Sequence, residues 1–246
     1  MATRTDMLAE LGLLPLWRRR GYAVTAPTRP HDTAALHHPV AERGDRDDPD
    51  ARRDRIAALT WRDFAADVDA CVACGLCRSR RRTVPGVGDT HADWLLVGEA
   101  PGAEEDAKGE PFVGQAGRLL DNMLAALGLS RGANVYIANV LKCRPPGNRT
   151  PEPLETEACR PYLDRQIELI RPRLIVALGK SAATTLLNVD ASIASLRGRV
   201  HRYRGVPLVV TYHPAYLLRN LPDKAKAWED LLLARRSLAA RGASVA

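Results

Sequence analysis

The chain has 246 residues, 46% hydrophobic and 26% charged, with a formal net charge of +7 and a pI near 9.4. That length buries one good core without requiring a second, and no apolar run reaches the roughly 18–20 residues that span a bilayer. The opening residues lead into a Leu11–Leu16 stretch too short and poorly flanked for a signal peptide, which predicts a soluble cytoplasmic protein. The positive charge favours an anionic partner, although charge alone is weak support.

Residues 1–20 carry Leu8, Leu11, Leu14 and Leu16-Trp17 at helical spacing. From about Ala26 to Arg55 any apolar period gives way to Pro, His31, His37, His38 and mixed Arg and Asp. Residues 1–56 are therefore predicted to be a helix followed by a mobile linker. The ordered domain is predicted over 57–240. Four apolar runs read as strands: Trp94–Val97, Val135–Ala138, Leu174–Ala177 and Leu208–Val210. Between them Leu119, Leu120, Met123, Leu124 and Leu127 share a helical face closed by Gly128. A second helix is predicted from Leu154 to Ile170 and a third from about Lys180. This alternation predicts an α/β fold with a central four-stranded parallel sheet flanked by helices.

Each strand runs into a polar or glycine-containing segment. These are Gly98-Glu99-Ala100-Pro101-Gly102, then Asn139 with Lys142-Cys143-Arg144, then Gly179-Lys180-Ser181, then Tyr212-His213-Pro214. In a parallel sheet such ends lie along one edge, where open α/β folds bind ligands. Glycines in the loop Gly98–Gly114 let backbone approach a ligand closely. Phe112 in that loop can stack on a nucleobase or simply plug the core. Asn139 offers one acceptor and two donors, a match for the O4 and N3–H edge of uracil, or braces a loop. His213 can donate to a developing oxyanion or be structural. Tyr216-Leu217-Leu218 beside Arg219 has the make-up of an apolar wedge that unstacks duplex DNA, or of a helix-start packing patch.

The five cysteines are Cys71, Cys74, Cys77, Cys143 and Cys159. An odd count in a cytosolic protein argues against a disulfide framework. Four thiolates suit tetrahedral zinc or a 4Fe–4S cluster; the spacing leans to zinc and leaves the cluster and unligated thiols open. Cys77 is read as a free thiol, with a ligand role in place of one of the others as the alternative.

Four motifs resemble the family 4 uracil-DNA glycosylases over about Cys71 to Arg235. They are Cys71-x-x-Cys74-x-Leu76; Gly98–Gly102 through Pro111-Phe112-Val113-Gly114-Gln115-Ala116-Gly117; Asn139–Arg149; and His213–Arg219. The resemblance implies a DNA repair enzyme, a monomer, that hydrolyses the N-glycosidic bond of a flipped deoxyuridine in single- or double-stranded DNA. It implies a 4Fe–4S cluster on Cys71, Cys74, Cys143 and Cys159, which overturns the lean to zinc. Glu99, Ala100 and His213 would be the catalytic positions, with Glu99 and Ala100 beside the glycosidic bond and His213 on uracil O2. Gly98, Glu105, Phe112 and Asn139 would hold the base, Phe112 by stacking, Glu105 near C5 and Asn139 on the Watson–Crick edge. Leu217, Leu218, Arg219 and Arg149 would meet DNA; Arg78, Arg80, Arg81, Arg82 and Arg197 are further phosphate candidates. Family 1 relatives carry an aspartate where this chain has Ala100, so any hydrolytic water here would be oriented by backbone or by Glu99. Arg149-Thr150-Pro151 runs on without the basic, histidine-bearing insertion of related cross-linking enzymes, which argues against covalent trapping. The alternative is a non-catalytic iron–sulfur DNA-binding protein.

Overall fold

The computed structural model describes residues 48–242; the expected helix over 1–20 and the paired histidines lie outside them. Among the described residues six strands form one mixed sheet in the order β1-β3-β2-β4-β6-β5. The strands are β1 Val87–Gly88, β2 Trp94–Gly98, β3 Val135–Asn139, β4 Leu174–Leu178, β5 Val200–Tyr203 and β6 Val206–Thr211. The inner pairs β3·β2, β2·β4 and β4·β6 are parallel. The outer strands β1 and β5 pair antiparallel with β3 and β6. The four-stranded expectation therefore omitted both edges. β1 has two residues, and β5 exposes Val200 and Arg202 while burying only Tyr203 fully, so neither shows the continuous apolar run of a doubly covered strand.

Among the described residues nine α-helices accompany the sheet. They are α1 Pro49–Ala57, α2 Trp61–Ala70, α3 Ala103–Lys108, α4 Gln115–Ala126, α5 Pro153–Ile170, α6 Lys180–Leu187, α7 Ile193–Leu196, α8 Pro214–Leu217 and α9 Asp223–Gly242. Strand side chains alternate between two cores, as the two-residue period requires. Leu95, Val97, Ala138, Ile175 and Val210 pack under α5 and α6 through Leu163, Ile167, Ala182 and Leu186. Leu96, Ile137, Val176 and Val209 pack under α4 and α9 through Leu120, Leu124, Leu231 and Ala234. Among the described residues no helix is long and apolar enough to cross a membrane.

Helix α1 lies where the composition suggested a linker. Asp48 caps it, accepting from the Asp50 N–H at 3.1 Å, and Pro49 occupies its first turn. Its Ile56 is buried with Phe64, Val68 and Tyr162. One buried side chain in a polar, Arg- and Asp-rich helix leaves no apolar stripe to read.

The loop between β2 and α4 is pinned by a close backbone approach. A Cβ on Gly117, in the first turns of α4, would overlap the carbonyl of Phe112. Phe112 itself adopts φ 54°, a left-handed backbone that bulky residues rarely take. Gly117→Ala should therefore displace Phe112 and cost about 2–3 kcal/mol of stability, since overpacking against backbone has no flexible neighbour to absorb it. Thermal unfolding of the variant checks this.

Candidate active site

The four parallel strands end side by side, as the motif order requires. Gly98 and Asn139 are register partners across β2 and β3. The Val140 N–H donates to the Gly98 carbonyl at 2.9 Å and the Leu141 N–H to the Glu99 carbonyl at 3.1 Å. On the other side Leu178 and Thr211 are partners across β4 and β6, and the Gly179 N–H donates to the Thr211 carbonyl at 2.8 Å. A Cβ on Gly179 would lie 2.9 Å from that of His213. The absent side chain thus lets the β6 end close on the β4 end.

Gly98 lies bare in a narrow, slot-like approach between Asn139 and the Phe112 ring. A side chain there would run into Asn139 Oδ1 and into the Phe112 ring, whose Cζ would be 2.7 Å away. The Phe112 ring stacks on His213 with centroids 5.5 Å apart and planes at 28°. Asn139 is buried, and its Oδ1 has no hydrogen-bond partner among the described residues. An unsatisfied buried acceptor costs about 1–3 kcal/mol, so the fold retains it against its own stability. Below, the buried Lys142 ammonium donates to the Asn139 carbonyl at 2.8 Å and to Gln166 Oε1 at 2.5 Å. That network fixes the end of β3 from beneath.

His213 caps α8: its Nδ1 accepts from the Ala215 N–H at 3.1 Å. Burial pushes its pKa down to about 4, against the nearby Glu105 carboxylate and with help from Arg219. The ring is therefore neutral near pH 7. With Nδ1 occupied as an acceptor, the remaining proton sits on Nε2, which is the donor. Glu99, Gly179, Ser181 and His213 line a common cavity. Burial raises the Glu99 pKa, and a hydrogen bond with Ser181 opposes the rise. Ala100 has no polar side-chain atom and packs against Leu76, Leu141 and Cys143. Glu105 is committed to the loop: its carboxylate accepts from the Gly102 N–H at 3.1 Å, Val113 N–H at 3.0 Å and Gly114 N–H at 3.3 Å.

The wedge segment differs from expectation. Leu217 is 1% exposed and packs with Tyr212 and Ala227, so it cannot be the inserting tip in this conformation. One turn of helix aims it inward. The exposed apolar side chains are Leu218 at 41% and Leu221 at 61%. Tyr216 is anchored, stacked on Tyr212 at 5.1 Å and donating to Asp223 at 2.6 Å. Among the described residues the Arg219 guanidinium has no hydrogen bond or ion pair, whereas Arg149 is held bidentately by Glu155 at 2.6 and 2.8 Å. Arg80 and Arg197 also turn inward: Arg80 to Cys143 Sγ at 3.2 Å and the Cys71 carbonyl at 2.9 Å, Arg197 to Asp230 at 3.0 Å.

All five cysteines line one small pocket with Val68, Leu76, Leu141 and Tyr162, and all five are free thiols. Cys71 ends α2, Cys74 opens a short 3-10 turn, Cys143 follows β3 and Cys159 lies on α5. Burial drives Cys159 up to about 12 and raises Cys74 and Cys143. Cys71 is lowered because the Ala73 N–H and Arg52 outweigh its burial. Among the described residues no three His, Cys, Asp or Glu side chains converge as a single metal ion requires.

The sheet defines an open α/β protein that gathers Phe112, Asn139 and His213 at the ends of its parallel strands, with His213 also lining a cavity there. The chain belongs to the uracil DNA glycosylase superfamily, whose family model matches residues 85–232. It is 47% identical over 164 residues to the type-4 uracil-DNA glycosylase of Archaeoglobus fulgidus, covering 63% of this chain and 82% of that protein. The type-4 uracil-DNA glycosylase of Thermotoga maritima is 45% identical over 161 residues, 65% and 83% of the two chains. The type-5 uracil-DNA glycosylase of Pyrobaculum aerophilum is 36% identical over 155 residues, 56% and 68%.

Proposed function

We propose that this protein excises uracil from DNA by hydrolysing the N-glycosidic bond of a flipped deoxyuridine, leaving an abasic site. One observation carries the reading beyond family membership: the buried Asn139 Oδ1, partnerless among the described residues, beside the Phe112 ring across the bare Gly98. A planar base entering that slot stacks on Phe112 and supplies the missing donor through its N3–H, while the Asn139 amide N–H groups meet O4. Neutral His213 donates from Nε2 to O2, where negative charge grows as the bond breaks. Glu99, with its raised pKa, is the side chain placed to orient water; the Ala100 methyl has no such chemistry. Glu105 shapes the slot by fastening Val113 and Gly114, and its carboxylate lies close enough to His213 to affect the ring's charge. Leu218, helped by Leu221, fills the gap left by the flipped nucleotide, and Arg219 meets phosphate.

Cys71, Cys74, Cys143 and Cys159 hold a 4Fe–4S cluster in this reading. The donor set fits. The four thiols come from three segments of the chain and share one largely apolar pocket. When bound, the cluster supplies a cross-link among α2, the β3 loop and α5. Arg80, donating to Cys143 Sγ, and the Lys142 N–H, donating to Cys159 Sγ at 3.3 Å, stabilise thiolate charge there.

The purified protein should release free uracil from a uracil-containing oligonucleotide, assayed on single-stranded, U·G and U·A substrates. His213→Ala should lower that rate about 10²–10³-fold, the usual cost of one oxyanion donor. Because the His213 pKa lies near 4, its neutral donor form persists from about pH 5 upward and is lost only as pH falls through 4. The rate profile should therefore show no His213 ionisation between pH 6 and 7. An inflection there that vanishes in His213→Ala would contradict the assignment, and DNA binding without uracil release would favour the non-catalytic alternative.

A further inference from the structure

Phe112 is held from both sides by charge. Upstream and at the residue itself, Arg131 Nη1 donates to the Pro111 carbonyl and Nη2 to the Phe112 carbonyl, both at 2.9 Å. Downstream, Glu105 accepts from the Val113 and Gly114 N–H groups. Arg131 is braced by Asp121 of α4, whose Oδ1 accepts from its Nε at 3.1 Å and its Nη2 at 2.9 Å. A tight turn presents the arginine: Ser130 and Ala133 bridge, with Gly132 at φ 83° between them. The residue held this way has the left-handed backbone at φ 54°, and its ring closes the slot over Gly98 and stacks on His213.

Nothing intrinsic to phenylalanine favours that backbone, so the surroundings must impose it. An Arg fork can grip two carbonyls and a carboxylate at once; an ammonium cannot reproduce that planar geometry. The hydrogen bonds of the Arg131 guanidinium among the described residues go to the Pro111 and Phe112 carbonyls and to Asp121. We propose that Arg131 is a positioning residue, which holds Phe112 in its left-handed conformation and so sets the ring plane on which uracil stacks. This rests on Phe112 being the stacking surface for the base. A ring fixed in advance needs no ordering when the base arrives, so the benefit appears as affinity for uracil.

Stacking acts alike on bound substrate base and on free uracil, so its loss raises KM and weakens product inhibition more than it lowers kcat. In the iron-loaded enzyme, Arg131→Met should raise the inhibition constant of free uracil about tenfold, with kcat changed less than about threefold. Affinity for DNA carrying a tetrahydrofuran abasic analogue, which has no base to stack, should stay within about twofold of wild type. Arg131→Lys should recover only part of the loss. Asp121→Asn, a milder change at a half-exposed position, should raise the constant about threefold and guards against a folding failure in the methionine variant. An unchanged uracil constant in both variants, or parallel loss of uracil and abasic-DNA affinity, overturns the proposal. Phe112→Leu separates the layers. If it weakens uracil binding while Arg131→Met does not, the clamp alone is wrong; if Phe112→Leu has no effect, the stacking role falls and the clamp with it.

Discussion

Asn139→Ala is expected to lower uracil release about a thousandfold without lowering Tm. The two halves of this result have one cause. The Asn139 Oδ1 is buried without a partner among the described residues. A site built around a hydrogen bond to its ligand discriminates by 10⁴ or more against a ligand that leaves it unpaired, and removing the protein's half forfeits a comparable share. In the free protein the same atom is a liability of about 1–3 kcal/mol, which offsets the packing lost with the side chain. Stability and activity should thus move independently, measured by thermal unfolding beside the uracil-release assay. A variant within tenfold of wild-type rate would show that Asn139 only braces the end of β3, a role the Lys142 contact to its carbonyl could serve alone.

Cys159→Ser is expected to abolish visible iron–sulfur absorption and bring iron per chain near zero, whereas Cys77→Ala retains both. Cys159 is the member of the quartet that brings in α5, and Lys142 on the β3 loop donates to its sulfur. Its thiol holds its proton up to about 12 because of burial; a bound cation reverses that preference by displacing the proton. Serine retains a protonated hydroxyl and leaves a buried polar group where a ligand stood. The thiols share their pocket with apolar side chains such as Val68, Leu76, Leu141 and Tyr162, and Arg80 and Lys142 add hydrogen bonds across it. Losing the cross-link should therefore also lower Tm, and a net stability of about 5–15 kcal/mol leaves little margin. Brown protein from Cys159→Ser, or colourless protein from Cys77→Ala, would mean that the quartet is misassigned.

The slot was legible because its parts are contiguous with strands. Gly98, Asn139 and His213 each follow an apolar run, and a parallel sheet must place such ends together. Gly179 and Ser181 were visible at the β4 end, but nothing local tied Ser181 to Glu99. The inward turn of Leu217 was hidden for a different reason: in Tyr216-Leu217-Leu218 any of the three can face out, and only the packing of α8 on Tyr212 and Ala227 decides. Arg80, Arg149 and Arg197 read as surface charge because sequence does not show that their partners are a thiol, Glu155 and Asp230. Arg131 carries no pattern at all. Its role comes from a turn between α4 and β3 folding back on Pro111 and Phe112, contacts about twenty residues away in the chain.

The pairing of Gly98 with Asn139 has a consequence for how the protein behaves on heating. The two residues face each other because β2 and β3 lie in one register along five partnered positions, from Trp94 with Val135 to the pair itself. A slip of one residue would turn Asn139 to the opposite face of the sheet. On the proposed role of Asn139, discrimination at the Watson–Crick edge is thus written into the central ladder and not into a loop that can soften early. As temperature rises, selectivity for uracil over cytosine, whose Watson–Crick edge reverses the donors and acceptors that Asn139 would meet, should hold nearly constant and then vanish together with the sheet, so that a failing enzyme becomes inactive before it becomes indiscriminate.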